Sequence, residues 1–156
     1  MDFAGAIKAA FQNYANFRGA ASRTAFWYWR LFTLIVSIGT TFLPVVGSLA
    51  SVALWLPDLT VSIRRTRDAG FSAWLQLLWL IPIGLFASQF PAIVAYGAEH
   101  QIDFETASNT EIANALLPLV LMALPAIIAL LAVQLFFFIT YLLPTKTADQ
   151  GNKYVK

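Results

Sequence analysis

Residues 31–56, LFTLIVSIGTTFLPVVGSLASVALWL, carry no charged side chain, and the fold turns on whether they cross a bilayer once or twice. About 40 residues separate Arg23 from Arg64, which as continuous helix is about 60 Å. That is twice the ~30 Å hydrocarbon core, so a tight helical hairpin fits. Leu43-Pro44-Val45-Val46-Gly47-Ser48 supplies the reversal, because proline cannot continue the helical bond ladder and glycine accepts turn dihedrals. The two spans read as residues 25–43 and 47–63.

Outward from the hairpin, two more stretches lack charge, residues 69–98 and 112–145. Each holds one span, 73–96 and 116–143, the latter long enough to tilt or to bend at Pro118 and Pro125. The composition agrees: 59% of residues are hydrophobic, 15% aromatic and 12% charged, and the mean hydropathy is +0.69. Soluble domains run at about 45–50% apolar and about 25% charged, so a water-soluble globule is excluded. The 156-residue chain allows one domain. With no cysteine and one histidine, disulfides, thiolate chemistry and multi-histidine metal centres are excluded as well. The expected fold is all-α, a membrane four-helix bundle in one domain spanning residues 1–156, with a short amphipathic helix at the N-terminus.

Charge decides between one crossing and two, since Lys and Arg bias short loops to the cytoplasm. With four crossings and the N-terminus inside, the inner segments 1–24, 64–72 and 144–156 hold Lys8, Arg18, Arg23, Arg64, Arg65, Arg67, Lys146, Lys153 and Lys156. Arg30 can snorkel back to the same surface. The outer loop, 97–111, holds Glu99, Asp103, Glu105 and Glu111 and no cation. Three crossings would place Arg64-Arg65-Thr66-Arg67 and the C-terminal lysines on opposite sides. Both termini are therefore expected in the cytoplasm. The net charge of +2 marks the inner rim rather than a nucleic-acid surface, and no nucleic-acid partner is expected.

Residues 2–17 read as a short helix. Phe3, Ile7, Phe11 and Tyr14 make one apolar stripe, with Asp2 as its N-cap. It either lies in the headgroup plane or packs on the bundle. Trp27, Tyr28, Trp29, Trp74 and Tyr96 fall where an aromatic belt is expected. Ser48-Leu49-Ala50 resembles a cleavage site, but the polar region before the first span is too long for a signal peptide. That span reads as a retained anchor.

Two segments carry a family resemblance. Phe17-Arg18-Gly19-Ala20-Ala21-Ser22-Arg23-Thr24-Ala25-Phe26-Trp27-Tyr28-Trp29 resembles a family opening of the form F-x-G-R-A-S-R-x-E-F-W-x-F. Residues 56–74, LPDLTVSIRRTRDAGFSAW, resemble its L-P-x-L-x-V-x-x-R-R-L-H-D-x-G-x-S-G-W. Gly151-Asn152-Lys153-Tyr154 is similar to its terminal G-x-N-x-Y/F-G. The family is domain of unknown function 805, small bacterial inner-membrane proteins with no established activity. The resemblance implies the class and the inner membrane, and lends no reaction. Arg67 stands where the family pattern has histidine, Ala25 where it has an acidic residue, and Val155 where it has the closing glycine.

Arg64, Arg65 and Arg67, with Arg18 and Arg23 nearby, form the candidate anion or lipid-headgroup site. Gly70 permits the reversal after them, Ser72 caps the next span, Trp74 marks its interface, and Asp68 orients an arginine. In the plainer reading the arginines only enforce topology. Asp58 lies within the apolar end of the second span and is expected to form a structural intramembrane pair with Arg30. Gln76, Gln89 and Gln134 bridge helices or line a conduit. His100 beside Glu99 and Asp103 makes a poor metal site.

No phosphate-cradling loop, H-E-x-x-H or G-x-S-x-G is present. The expectation is a non-enzymatic module without cofactor or metal. Its arginine-rich face would bind anionic phospholipid or a partner membrane protein. The alternative is a small transporter or channel, oligomeric because four short spans enclose little pore. A polar track from Asp58 through the glutamines would favour the latter.

Overall fold

A computed structural model describes residues 1–100 and 107–154. Among these residues the secondary structure is entirely helical: α1 (Phe3–Gln12), α2 (Arg23–Thr40), α3 (Pro44–Asp68), a 3₁₀ helix (Ala73–Trp79), α4 (Leu80–Glu99), α5 (Asn109–Leu142) and a last 3₁₀ turn (Ala148–Gln150). Among the described residues three segments are long and apolar enough to cross a membrane: Pro44–Asp68, Ala73–Glu99 and Asn109–Leu142. α2 is not one of them. It has 18 residues and carries Arg23 and Arg30, which lower its hydropathy.

The chain divides into two compact units, Met1–Gln76 with Phe138–Lys156, and Leu77–Phe137. In the first, the Asp2 side chain accepts from the Gly5 N–H at 3.0 Å, capping α1. α1 packs on both α2 and α3. Its buried residues are Ala6 and Ala10, while the predicted stripe meets α2 edge-on, Phe3 against Tyr28 and Phe11 against Trp29 and Phe32. The Tyr14 hydroxyl donates to the Ala53 carbonyl, and Thr60 Oγ1 donates to the Tyr14 carbonyl at 3.0 Å.

α2 begins at Ser22, whose hydroxyl accepts from the Ala25 N–H at 3.3 Å. It buries Phe26 and Trp29. Trp29 is therefore core and not part of an aromatic belt. The hairpin turn comes earlier than expected, at residues 41–43, with Pro44 as the first residue of α3. Proline is at ease there, because the missing N–H would have had no helical partner. Gly47 lies inside α3 rather than in the turn. A Cβ on it would sit 3.2 Å from the Thr40 carbonyl, so its absence lets the two helices approach.

α3 also runs past its expected end at 63. Arg64, Arg65 and Arg67 occupy its last turns instead of a loop, where cations complement the helix dipole. Gly70, at φ +87°, closes the helix. Its N–H donates to the Arg67 carbonyl at 2.9 Å and that of Phe71 to Thr66 at 3.1 Å, a Schellman cap.

In the second unit, α4 and the part of α5 up to Phe137 expose most of their large apolar side chains, among them Ile83, Phe90, Leu121, Ile128 and Leu131. Such a surface suits lipid and not water. Trp79 stacks on Phe137 with centroids 5.8 Å apart. Pro91, Pro118 and Pro125 lie inside the helices. The segment expected to start as α-helix at Ala73 opens as a 3₁₀ helix. α5 starts at Asn109, seven residues before the expected 116. Its start is a capping box in which Ser108 N–H and Glu111 N–H are both satisfied by the other's side chain. Asp103 and Glu105 lie outside the described residues. His100 stacks on Tyr96 with centroids 4.1 Å apart.

Candidate functional site

Two polar centres stand out in the first unit. The first ties the end of α3 to the end of α5. Arg65 is fully buried. Its guanidinium donates to the Asp68 carboxylate, to the Tyr141 carbonyl from Nε at 3.2 Å and Nη2 at 3.0 Å, and to the Leu143 carbonyl. Arg23 Nη1 donates to the Leu142 carbonyl at 3.3 Å. The last carbonyls of a helix have no partner within it. Here guanidinium groups from α2 and α3 supply the donors.

The C-terminal segment completes this centre. Asp68 Oδ2 also accepts from Thr145 Oγ1 at 2.7 Å, and the Lys146 N–H donates to the Asp68 carbonyl at 2.9 Å. Asn152 is buried. Its side-chain amide donates to the carbonyls of Arg67, Asp68 and Lys146 at 3.0, 3.3 and 2.9 Å. Arg67 donates to the Phe17 carbonyl and lies 5.4 Å over the Tyr154 ring. Arg64 Nη2 donates to the Ala20 carbonyl at 3.4 Å. Gln76 reaches Thr66 Oγ1 at 3.0 Å and the Tyr141 hydroxyl at 3.4 Å.

The expectation that Arg64, Arg65 and Arg67 are the principal headgroup ligands needs correcting for Arg65. It is enclosed, and carbonyl and carboxylate oxygens of this chain occupy its donors. Arg64 and Arg67 are half-buried and each reaches a backbone carbonyl of residues 17–20. Arg18 and Arg23 are exposed, as are Lys146 and Lys153. Asp68 orients an arginine, as its spacing suggests. Gly70 makes the reversal, the Ser72 hydroxyl accepts weakly from the Trp74 N–H at 3.4 Å, and Trp74 is 77% exposed. Sequence reasoning missed Thr145, Asn152 and the carbonyls of residues 141–143. Asn152 alone had a signal, in the terminal motif.

The second centre is the pair inside the hairpin. Arg30 Nη1 lies 2.7 and 2.9 Å from the two Asp58 oxygens, and its Nη2 donates to Ser62 Oγ at 3.0 Å. Trp29 Nε1 donates to Asp58 Oδ1 at 3.1 Å, a partner that sequence reasoning did not identify. A cavity of about 300 Å³ adjoins the pair. In the second unit, Gln134 is exposed, and Gln89 Oε1 is buried with no hydrogen-bond partner among the described residues. Among the described residues no group of three His, Asp or Glu side chains could hold a metal ion.

Comparison with known proteins gives a family and two relatives. The family model described as "Protein of unknown function (DUF805)" matches residues 14–156. Inner membrane protein YhaH of Escherichia coli (strain K12) is 31% identical over 83 residues, covering 46% of this chain and 69% of that protein. Inner membrane protein YhaH of Escherichia coli O157:H7 is similar to the same extent. No solved structure matches the chain.

Proposed function

From the premise that the chain belongs to the DUF805 family, we propose that it is a non-enzymatic module of the bacterial inner membrane. It crosses four times as a bundle with both termini in the cytoplasm. Its basic cytoplasmic end holds anionic lipid headgroups or a partner membrane protein.

The observation that carries this reading is the bond from the Lys146 N–H to the Asp68 carbonyl. The chain leaves α3 at Asp68 and returns to the same point after α4 and α5. An even number of crossings between them accounts for that return. α2 supplies the fourth: its 18 residues extend about 27 Å, close to the ~30 Å core, and Asp58 neutralises Arg30 within it. The N-terminal end of α2 and the C-terminal ends of α3 and α5 then share one side, and Arg18, Arg23, Lys146 and Lys153 rim it. Each cation near an anionic leaflet contributes about 1 kcal/mol. α1, held on α2 and α3, lies at the cytoplasmic border.

The transporter or channel reading draws less support. Gln76 is engaged at the arginine end and does not reach Asp58, and Gln134 faces outward in its own unit.

Native mass spectrometry from mixed-lipid nanodiscs tests the proposal. Phosphatidylglycerol should be retained over phosphatidylcholine, and the Arg18→Gln/Lys153→Gln variant should lose that preference. Equal retention of both lipids by the parent protein overturns the headgroup role. A reporter fused after Lys156 that is active only in the periplasm overturns the topology.

A further inference from the structure

The cavity beside Arg30 and Asp58 has a wall chemistry that selects a ligand class. It lies between α2 and α3, and its polar lining comes from Thr33, Ser37, Thr40, Ser51 and the ion pair. Three of the four hydroxyls have already committed their hydrogens to their own helices. Thr33 Oγ1 donates to the Arg30 carbonyl at 3.0 Å, Thr40 Oγ1 to Val36 at 2.8 Å, and Ser51 Oγ to Gly47 at 2.8 Å. What these oxygens still offer is lone pairs. Asp58 is 30% exposed at its side chain, and among the described residues Oδ2 accepts from Arg30 alone, so it has acceptor capacity left.

The donors on the wall are fewer. Arg30 commits three of its five N–H donors to Asp58 and Ser62, and its charge cancels that of Asp58. Its other two N–H groups, the Ser37 hydroxyl and the Trp55 indole are the donors that remain. The wall is thus weighted to acceptors without net charge. Trp55 adds an aromatic face of the kind that attracts ammonium groups. A carboxylate or phosphate would meet oxygen lone pairs, and a polyol would leave its own acceptors unmatched. A primary ammonium has three donors and no acceptor.

We propose that this cavity binds a primary ammonium group, carried either by a free small amine or by an ethanolamine headgroup. The site is separate from the basic cytoplasmic end and does not depend on that reading.

The absence of cysteine from the chain makes the test direct. Ala50 lines the cavity and contributes no acceptor, so Ala50→Cys provides a single reactive thiol there. The purified full-length variant is labelled with a maleimide in phosphatidylcholine nanodiscs. Ethylammonium should slow labelling about tenfold once the site is nine-tenths occupied, with glycerol and acetate without effect. Replacing part of the phosphatidylcholine by phosphatidylethanolamine should slow it if the headgroup is the source. Slowing by ethylammonium alone assigns a free amine. Thr33→Val keeps the side-chain shape and removes one acceptor, so in the Ala50→Cys background it should weaken protection severalfold without changing the thermal midpoint. The proposal is overturned if neither amine slows labelling, if glycerol slows it equally, or if Thr33→Val leaves protection intact.

Discussion

The Arg65 guanidinium donates to the Tyr141 carbonyl oxygen across 76 positions of sequence, so one side chain of α3 closes the end of α5. A buried cation in such a place is stable only while every donor has an acceptor. Arg65→Ala leaves the buried Asp68 without its ion-pair partner and takes the guanidinium donors away from the carbonyls of 141 and 143. The expected loss is about 3–5 kcal/mol. Arg65→Lys should recover little of it, because an ammonium on a flexible stem cannot reproduce the planar fork. Thermal unfolding in detergent checks both, and a lysine variant as stable as the parent would contradict this role.

The pair in the hairpin is less enclosed, with Arg30 and Asp58 exposed at 36% and 30% of their side chains. Asp58→Asn removes the charge that balances Arg30 and weakens the acceptor for the Trp29 indole. The solvent-discounted cost is about 1–2 kcal/mol. Arg30→Gln/Asp58→Asn should be more stable than the sum of the two single changes implies. A double-mutant cycle in the same detergent measures that coupling, and strict additivity would show that the pair contributes nothing.

What was legible in the sequence was whatever a side chain announces. Pro44 signals the hairpin, Asp2 and Ser22 signal caps, and Asp58 in an apolar run calls for Arg30. The arginine end was less legible because its acceptors are main-chain carbonyls of residues 17, 20, 141 and 143, which carry no residue-type signature. The same fact explains why Arg64 to Arg67 read as a loop. Charges normally end a span, and acceptors brought by residues 17–20 and by the end of α5 let α3 continue through them. Trp29 read as a belt residue because the run Trp27-Tyr28-Trp29 gives no sign of which ring faces inward. That is set by the helix phase relative to α1 and α3.

Gly70 makes a narrower prediction. Its φ of +87° is the left-handed region, and a Cβ would lie 2.7 Å from Lys146 Cδ. The lysine stem can swing away, so the backbone term dominates. Gly70→Ala should cost about 1–2 kcal/mol, and Lys146→Ala in the same background should recover little of it. Thermal midpoints of the two variants decide whether the strain or the contact matters.

Asn152 makes the sharpest case for the C-terminal segment as part of the fold, since its one amide nitrogen serves three carbonyls of residues 67, 68 and 146. Asn152→Ala should destabilise by about 1–3 kcal/mol through unsatisfied acceptors. Asn152→Asp should behave differently with pH. Its carboxyl would face carbonyl oxygens, which favour the protonated form, so its folded-state pKa lies above the unfolded value of about 3.9. Between those two values the folded protein binds more protons than the unfolded chain, and stability falls as pH rises. The variant should therefore approach the parent in acid and lose stability as pH climbs through the raised pKa, whereas Asn152→Ala should keep a constant deficit. Parallel melting curves from about pH 4 to pH 8 separate the two. If the aspartate variant showed the same pH-independent deficit as the alanine variant, the carbonyl cluster around residue 152 would not be the environment described.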